Sequence, residues 1–129
     1  MLATVQSGAL RGVDGLAVAG EVDLSGHSAG LAVVGLPEGA VKEGMFRVRA
    51  AVRNGGYQFP GGRRIVINLA PADLRKEGSA FDLPIAIAVL AASGQLPREE
   101  LAGYAILGEL SLDGAVKAVR GALPIAAGA

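Results

Sequence analysis

The 129-residue chain has no cysteine, which excludes disulfides and thiolate-held metals. Its one histidine, His27, leaves no imidazole cluster for a metal within a single chain. Aromatic residues make up 4%, so the core has to be built from Ala, Val, Leu and Ile. Neither sign of charge dominates: 12 basic residues balance 12 acidic ones, and total charge points to no partner. No run reaches the roughly 18 apolar residues of a membrane span. The start, MLATVQSGALRG, lacks the basic segment and apolar centre of a secretion signal. No membrane partner is expected, and the location is expected to be cytoplasmic. None of the three lysines (Lys42, Lys76, Lys117) stands in a Gly-Lys-Ser/Thr loop, so nucleotide binding by this chain alone is not expected.

What is present is enough apolar residue for a core: 51%, against 19% charged. The length suits one domain, and no linker or repeat divides it. Charge is unevenly spread. Lys42–Lys76 holds eight basic and two acidic residues, while the remainder holds four basic and ten acidic ones. The chain ends in the apolar segment GALPIAAGA without a polar cap, which suggests a piece of a longer protein.

Local patterns predict an α+β domain, a mixed sheet with packed helices. Leu2–Leu10 and Leu16–Leu24 read as strands around a turn at Gly12–Gly15, and Leu31–Leu36 as a short apolar strand. Pro37 and Glu38 open a helix whose first turn is acidic. In that helix Val41, Met45, Val48 and Val52 form one apolar face, with Lys42, Phe46, Arg49 and Arg53 beside it. Asn54-Gly55-Gly56 ends it. Ile65, Ile67 and Leu69 alternate along the next strand. Leu83–Ser93 is a helix apolar nearly all round, hence buried, with Asp82 as its cap and Gly94 as its end. Arg98–Leu101 reads as one helical turn. Tyr104–Leu110 and Ala115–Val119 read as a hairpin, and Gly121–Ala129 as the beginning of a helix.

The charged loop Pro71–Phe81 before the buried helix is the first place to look for a site. A Ser–Lys dyad needs a serine on a loop at a helix start and a lysine kept neutral by burial. Ser79 and Lys117 are the candidates; the plainer reading makes Ser79 a helix cap and Lys117 a solvated strand residue. A triad would need His27, which reads more simply as a loop histidine. The basic set Lys42, Arg49, Arg53, Arg63, Arg64, Arg75 and Lys76 suits phosphate neutralisation, contact with a neighbouring subunit, or plain solvation. Apart from Phe46 and Tyr57 the set lacks interleaved aromatics, so base stacking is not expected.

The blocks GLPEGAVKEG (35–44), RVRAAVRNGGYQFP (47–60), INLAPADLRKEGSAFDLPIAIAVLAASGQL (67–96) and LGELSLDGAVKAVRGALP (107–124) resemble the N-terminal domain of the ComM/YifB family, the magnesium-chelatase-like competence proteins. The resemblance implies a fold like the proteolytic domain of Lon, with a left-handed βαβ crossover. It implies a following AAA+ module that binds ATP and Mg, and a ring of subunits acting on branched DNA in natural transformation. Laid on the Lon loop, the nucleophile's position falls on Ala80, with Ser79 one place early, and the lysine's falls on Leu123. The resemblance therefore implies a non-catalytic domain, supplying DNA or subunit contacts through the basic set. The alternatives are a Lon-like serine peptidase using Ser79, or a purely structural docking or oligomerisation module. Many relatives are expected to carry a polar segment, roughly S-R-E, where this chain has Gly44-Met45-Phe46.

Overall fold

The computed structural model describes residues 2–11, 14–26, 29–35, 37–74, 76, 78–101 and 103–117. Strands β1 (Leu2–Arg11) and β2 (Asp14–Ser25) form an antiparallel pair in register from Leu2 opposite Asp23 to Arg11 opposite Asp14. β3 (Gly30–Val34) leads into helix α1 (Gly39–Asn54), which returns the chain to β4 (Arg64–Ala70). β4 lies antiparallel to β2 and parallel to β3, so the sheet order is β1-β2-β4-β3. Helix α2 (Asp82–Ala92) packs on β1, β2 and α1. After a 3₁₀ turn at Arg98–Leu101, β5 (Glu109–Leu110) and β6 (Val116–Lys117) make a short antiparallel pair. This is the expected α+β class, with a four-stranded mixed sheet and two helices.

Alternation decides which face of the sheet is covered. Ala3, Val5, Val18, Val22, Ile65, Ile67 and Leu69 are buried. Thr4, Gln6, Ala17 and Ala32 look the other way and are exposed. The predicted face of α1 (Val41, Met45, Val48, Val52) is buried, and α2 is buried nearly all round. Each such aliphatic side chain contributes roughly 1.5–3 kcal/mol relative to exposure. α1 stops where expected: Gly56 takes φ +90°, and the amides of Gly55 and Tyr57 reach back to the carbonyls of Ala51 and Val52. Gly94 does the same for α2 at φ +81°, with the Gln95 amide on the Leu90 carbonyl.

Three expectations need correction. The first turn of α1 carries no acidic residue, because the helix starts at Gly39 with Glu38 at its N-cap. The Glu38 amide donates to the Lys76 carbonyl (2.7 Å) and Pro37 bridges to Lys76, which keeps the chain extended through Glu38. Asp82 does not cap α2: Phe81 holds that position, and Asp82 is the first helical residue. Tyr104–Leu110 is not one strand, because it changes partner along its length. Ala105 bridges to Gln6, with the Ile106 amide on the Gln6 carbonyl. Gly108 then exchanges hydrogen bonds with Ala80 and Leu83 at the head of α2, and only Glu109 and Leu110 pair with β6. The predicted turn at Gly12–Gly15 falls partly, and the C-terminal helix wholly, outside the described residues.

The two edges of the sheet are treated differently. Along β1 the Gln6–Ala105 bridge and an Arg98 guanidinium on the Leu2 carbonyl (2.7 Å) cover part of the outer edge. Among the described residues β3 pairs with β4 alone.

Candidate nucleic-acid interface

The loop 71–81 turns out to be a structural junction. Ser79 contributes a backbone carbonyl, which accepts from the Asp82 amide at 3.2 Å, so its hydroxyl is not the helix cap. Ala80 accepts from the Gly108 amide at 2.9 Å. Lys76 is fully buried, and its Nζ donates to the Pro71 carbonyl. Burial lowers its pKa below the usual lysine value, and the nearby Asp73 charge opposes that shift. Lys117 lies on β6 with a side chain 59% exposed, 3.9 Å from Glu109. Arg75, His27 and Leu123 fall outside the described residues.

The strongest electrostatic feature of the junction is Asp82, which is 2% exposed. Arg47 of α1 holds it with both forks of its guanidinium: Nε donates to Oδ2 at 2.6 Å and Nη2 to Oδ1 at 3.1 Å. The Leu110 amide donates to Oδ2 at 3.1 Å. The bond to Asp82 raises the Arg47 pKa, against a smaller opposing effect of burial. Gly44 makes room for the pair: a Cβ there would stand 2.3 Å from Asp82 Oδ1. Sequence reasoning named neither Arg47 nor Asp82 as partners. A usable signal existed, since a carboxylate heading a wholly apolar helix needs a cation once buried.

The predicted basic set divides. Lys42, Arg49, Arg53 and Arg63 gather along one side of the molecule, beside β3. A hollow of about 400 Å³ lies between β3 and α1, lined by Leu31, Val33, Met45, Phe46, Lys42 and Arg49. A second, of about 380 Å³, shares Leu31 and Arg49 and adds Arg53, Arg63 and the glycine loop at Gly61-Gly62. Arg49 sits with its guanidinium carbon 5.4 Å from the centre of the Phe59 ring, which orients it over the second hollow. Gly62 adopts φ +71°, turning the chain just before Arg63 and Arg64. Arg64 is exposed at the first position of β4. Among the described residues, none of these five cations has an ion pair. Lys76 is not part of this surface, because it is buried. Phe46 projects beside the first hollow at 74% exposure.

Such an arrangement can attract and orient an anionic polymer: guanidinium groups without an ion pair among the described residues, next to an exposed glycine loop. Among the described residues no group of acidic or histidine side chains could hold a metal ion. No helix is long and apolar enough to cross a membrane.

Comparison with known proteins places the chain. The family model described as subunit ChlI of Mg-chelatase matches residues 20–129. The protein YifB of Salmonella typhimurium is 52% identical over 122 residues, covering 95% of this chain and 24% of that protein. The competence protein ComM of Haemophilus influenzae is 49% identical over 123 residues, again covering 95% and 24%. A Mycobacterium tuberculosis protein is 47% identical over 116 residues, covering 90% and 23%. The chain thus spans about a quarter of the length of the curated relatives it matches. It belongs to the Mg-chelatase ChlI-subunit family, among the ComM and YifB proteins.

Proposed function

We propose that this chain is the N-terminal, non-catalytic domain of a ComM-type AAA+ ATPase that remodels branched DNA during natural transformation, and that it contributes contacts to that DNA. ATP and Mg belong to the motor module, and subunits assemble as a ring. The observation that carries the DNA contact is the group Arg49, Arg53 and Arg63, exposed and clustered around one hollow, with Arg64 exposed next to it at the start of β4, all four without ion pairs among the described residues. Counterion release from neutralised phosphates would supply the affinity. The name of the Haemophilus relative, a competence protein, supports the setting. Two observations support the non-catalytic reading. Lys117 is solvated beside Glu109, and the buried amine in the loop, Lys76, is engaged with a carbonyl.

The test replaces Arg49, Arg53 and Arg64 together by Ala in the full-length, assembled protein. Binding of branched DNA is measured at two salt concentrations. Affinity should fall at least about tenfold, and the dependence of log K on log salt should flatten by roughly two to three. Unchanged binding by a folded, assembled variant refutes the DNA contact. Cleavage of casein by the wild type that disappears in Ser79→Ala would refute the non-catalytic reading.

A further inference from the structure

We infer that the outer edge of β3, which has no strand partner among the described residues, takes an extended acidic protein segment as a fifth strand of the sheet, with the outer stripe of α1 beside it. This goes beyond the DNA contact, with which it shares Arg49 and Arg53 but not the β3 edge or Lys42. The edge has the chemistry for strand addition. An edge strand presents unpaired amides and carbonyls, and proteins usually blunt it with lysine, proline, a bulge or a cover. β1 is partly covered by Arg98, Ala105 and Ile106; β3 reads GLAVV and carries none of these devices itself, and Val34 is 45% exposed.

The helix beside the edge says what the added strand must look like. Lys42, Phe46, Arg49 and Arg53 succeed one another at helical spacing on the exposed side of α1. From Lys42 to Arg53 the helix advances roughly 16 Å, and the five residues of β3 extend over about the same distance. The hollows set Lys42, Phe46 and Arg49 beside Leu31, Ala32 and Val33, and Arg53 beside Gly30 and Leu31, so a strand laid against β3 runs alongside that stripe. Its side chains alternate. One set faces α1, where Lys42 and Arg49 have no ion pair among the described residues, so carboxylates belong there. The other set continues the face of Ala32 and Val34, where small apolar side chains fit. Main-chain bonds supply affinity and the alternation supplies specificity, as in other cases of strand addition.

The test uses the 129-residue chain and two fluorescent ten-residue peptides, one alternating Val and Glu, the other Val and Lys. Binding is measured by fluorescence polarisation, and amide exchange at residues 30–34 by NMR. The Val–Glu peptide should bind saturably and slow the outward-facing β3 amides at least about tenfold, and the Val–Lys peptide should not bind. Lys42→Glu with Arg49→Glu should reverse that preference. Equal binding of both peptides, or binding without slowed β3 exchange, overturns the inference. So does a single-stranded oligonucleotide that displaces the peptide and itself protects β3, which would make the edge part of the nucleic-acid surface.

Discussion

Arg47 and Arg49 leave α1 two residues apart and enter different surroundings. Arg47 turns toward α2 and closes on a carboxylate that is 2% exposed. Arg49 turns toward β3, stacks on Phe59 and has no ion pair among the described residues. The helix periodicity forces the separation, since neighbours two apart cannot share a face. A single helix thereby divides its labour. The buried arginine fixes how α1 meets α2 and the 108–110 segment. The exposed arginine belongs to a surface that can be changed without disturbing that junction.

The contrast between the two arginines can be broken most severely at Asp82. Asp82→Ala leaves Arg47 and the Leu110 amide without their acceptor, and urea denaturation should show a loss of about 3–4 kcal/mol. Asp82→Asn should lose less, because the amide oxygen still serves Leu110. Gly44→Ala comes next. Its Cβ has to displace Asp82 Oδ1, and the expected loss is about 1–3 kcal/mol, with the largest structural change at the Arg47 side chain by crystallography.

Lys76→Met probes a buried cation whose amine donates to a carbonyl. Burial holds the folded pKa of Lys76 below 10.5, so the unfolded chain binds more protons in the window beneath that value. Wild-type stability should therefore climb as pH rises through that window and level off above 10.5. Thermal unfolding of Lys76→Met should show a higher midpoint at neutral pH and no such climb. Arg49→Ala should give the smallest effect of the series, within about 0.5 kcal/mol of wild type. A loss at Arg49 as large as that at Asp82 would end the distinction between the two arginines.

Much of the sheet was legible in the sequence because alternation is a local signal. Ile65, Ile67 and Leu69 point inward as their spacing requires, and α2 is buried because it has no polar side to expose. The stripe Lys42–Phe46–Arg49–Arg53 was legible for the same reason. The Arg47–Asp82 pair was not, since its members stand 35 positions apart and only the α1–α2 packing joins them. Nor was the burial of Lys76, which sits in the charged run DLRKEG but is drawn inside by its backbone pairing with Pro37 and Glu38. Tyr104–Leu110 misled because an apolar run does not say where it changes partner. The nearness of Arg63 to Arg49 likewise depends on a glycine loop whose path no periodicity encodes.

The β3 edge, paired only with β4 among the described residues, also bears on how the chain behaves at high concentration. Two copies could pair β3 to β3, but each would then bring Lys42, Arg49 and Arg53 against the same cations of the other. That repulsion acts as a colloidal barrier, and it is an electrostatic one. Added salt shortens its reach to about 8 Å at physiological ionic strength and about 3 Å at 1 M. With zero formal net charge, the molecule has little other long-range repulsion. Its solubility should accordingly decline as salt rises, and light scattering at millimolar protein would register the approach of one edge to another.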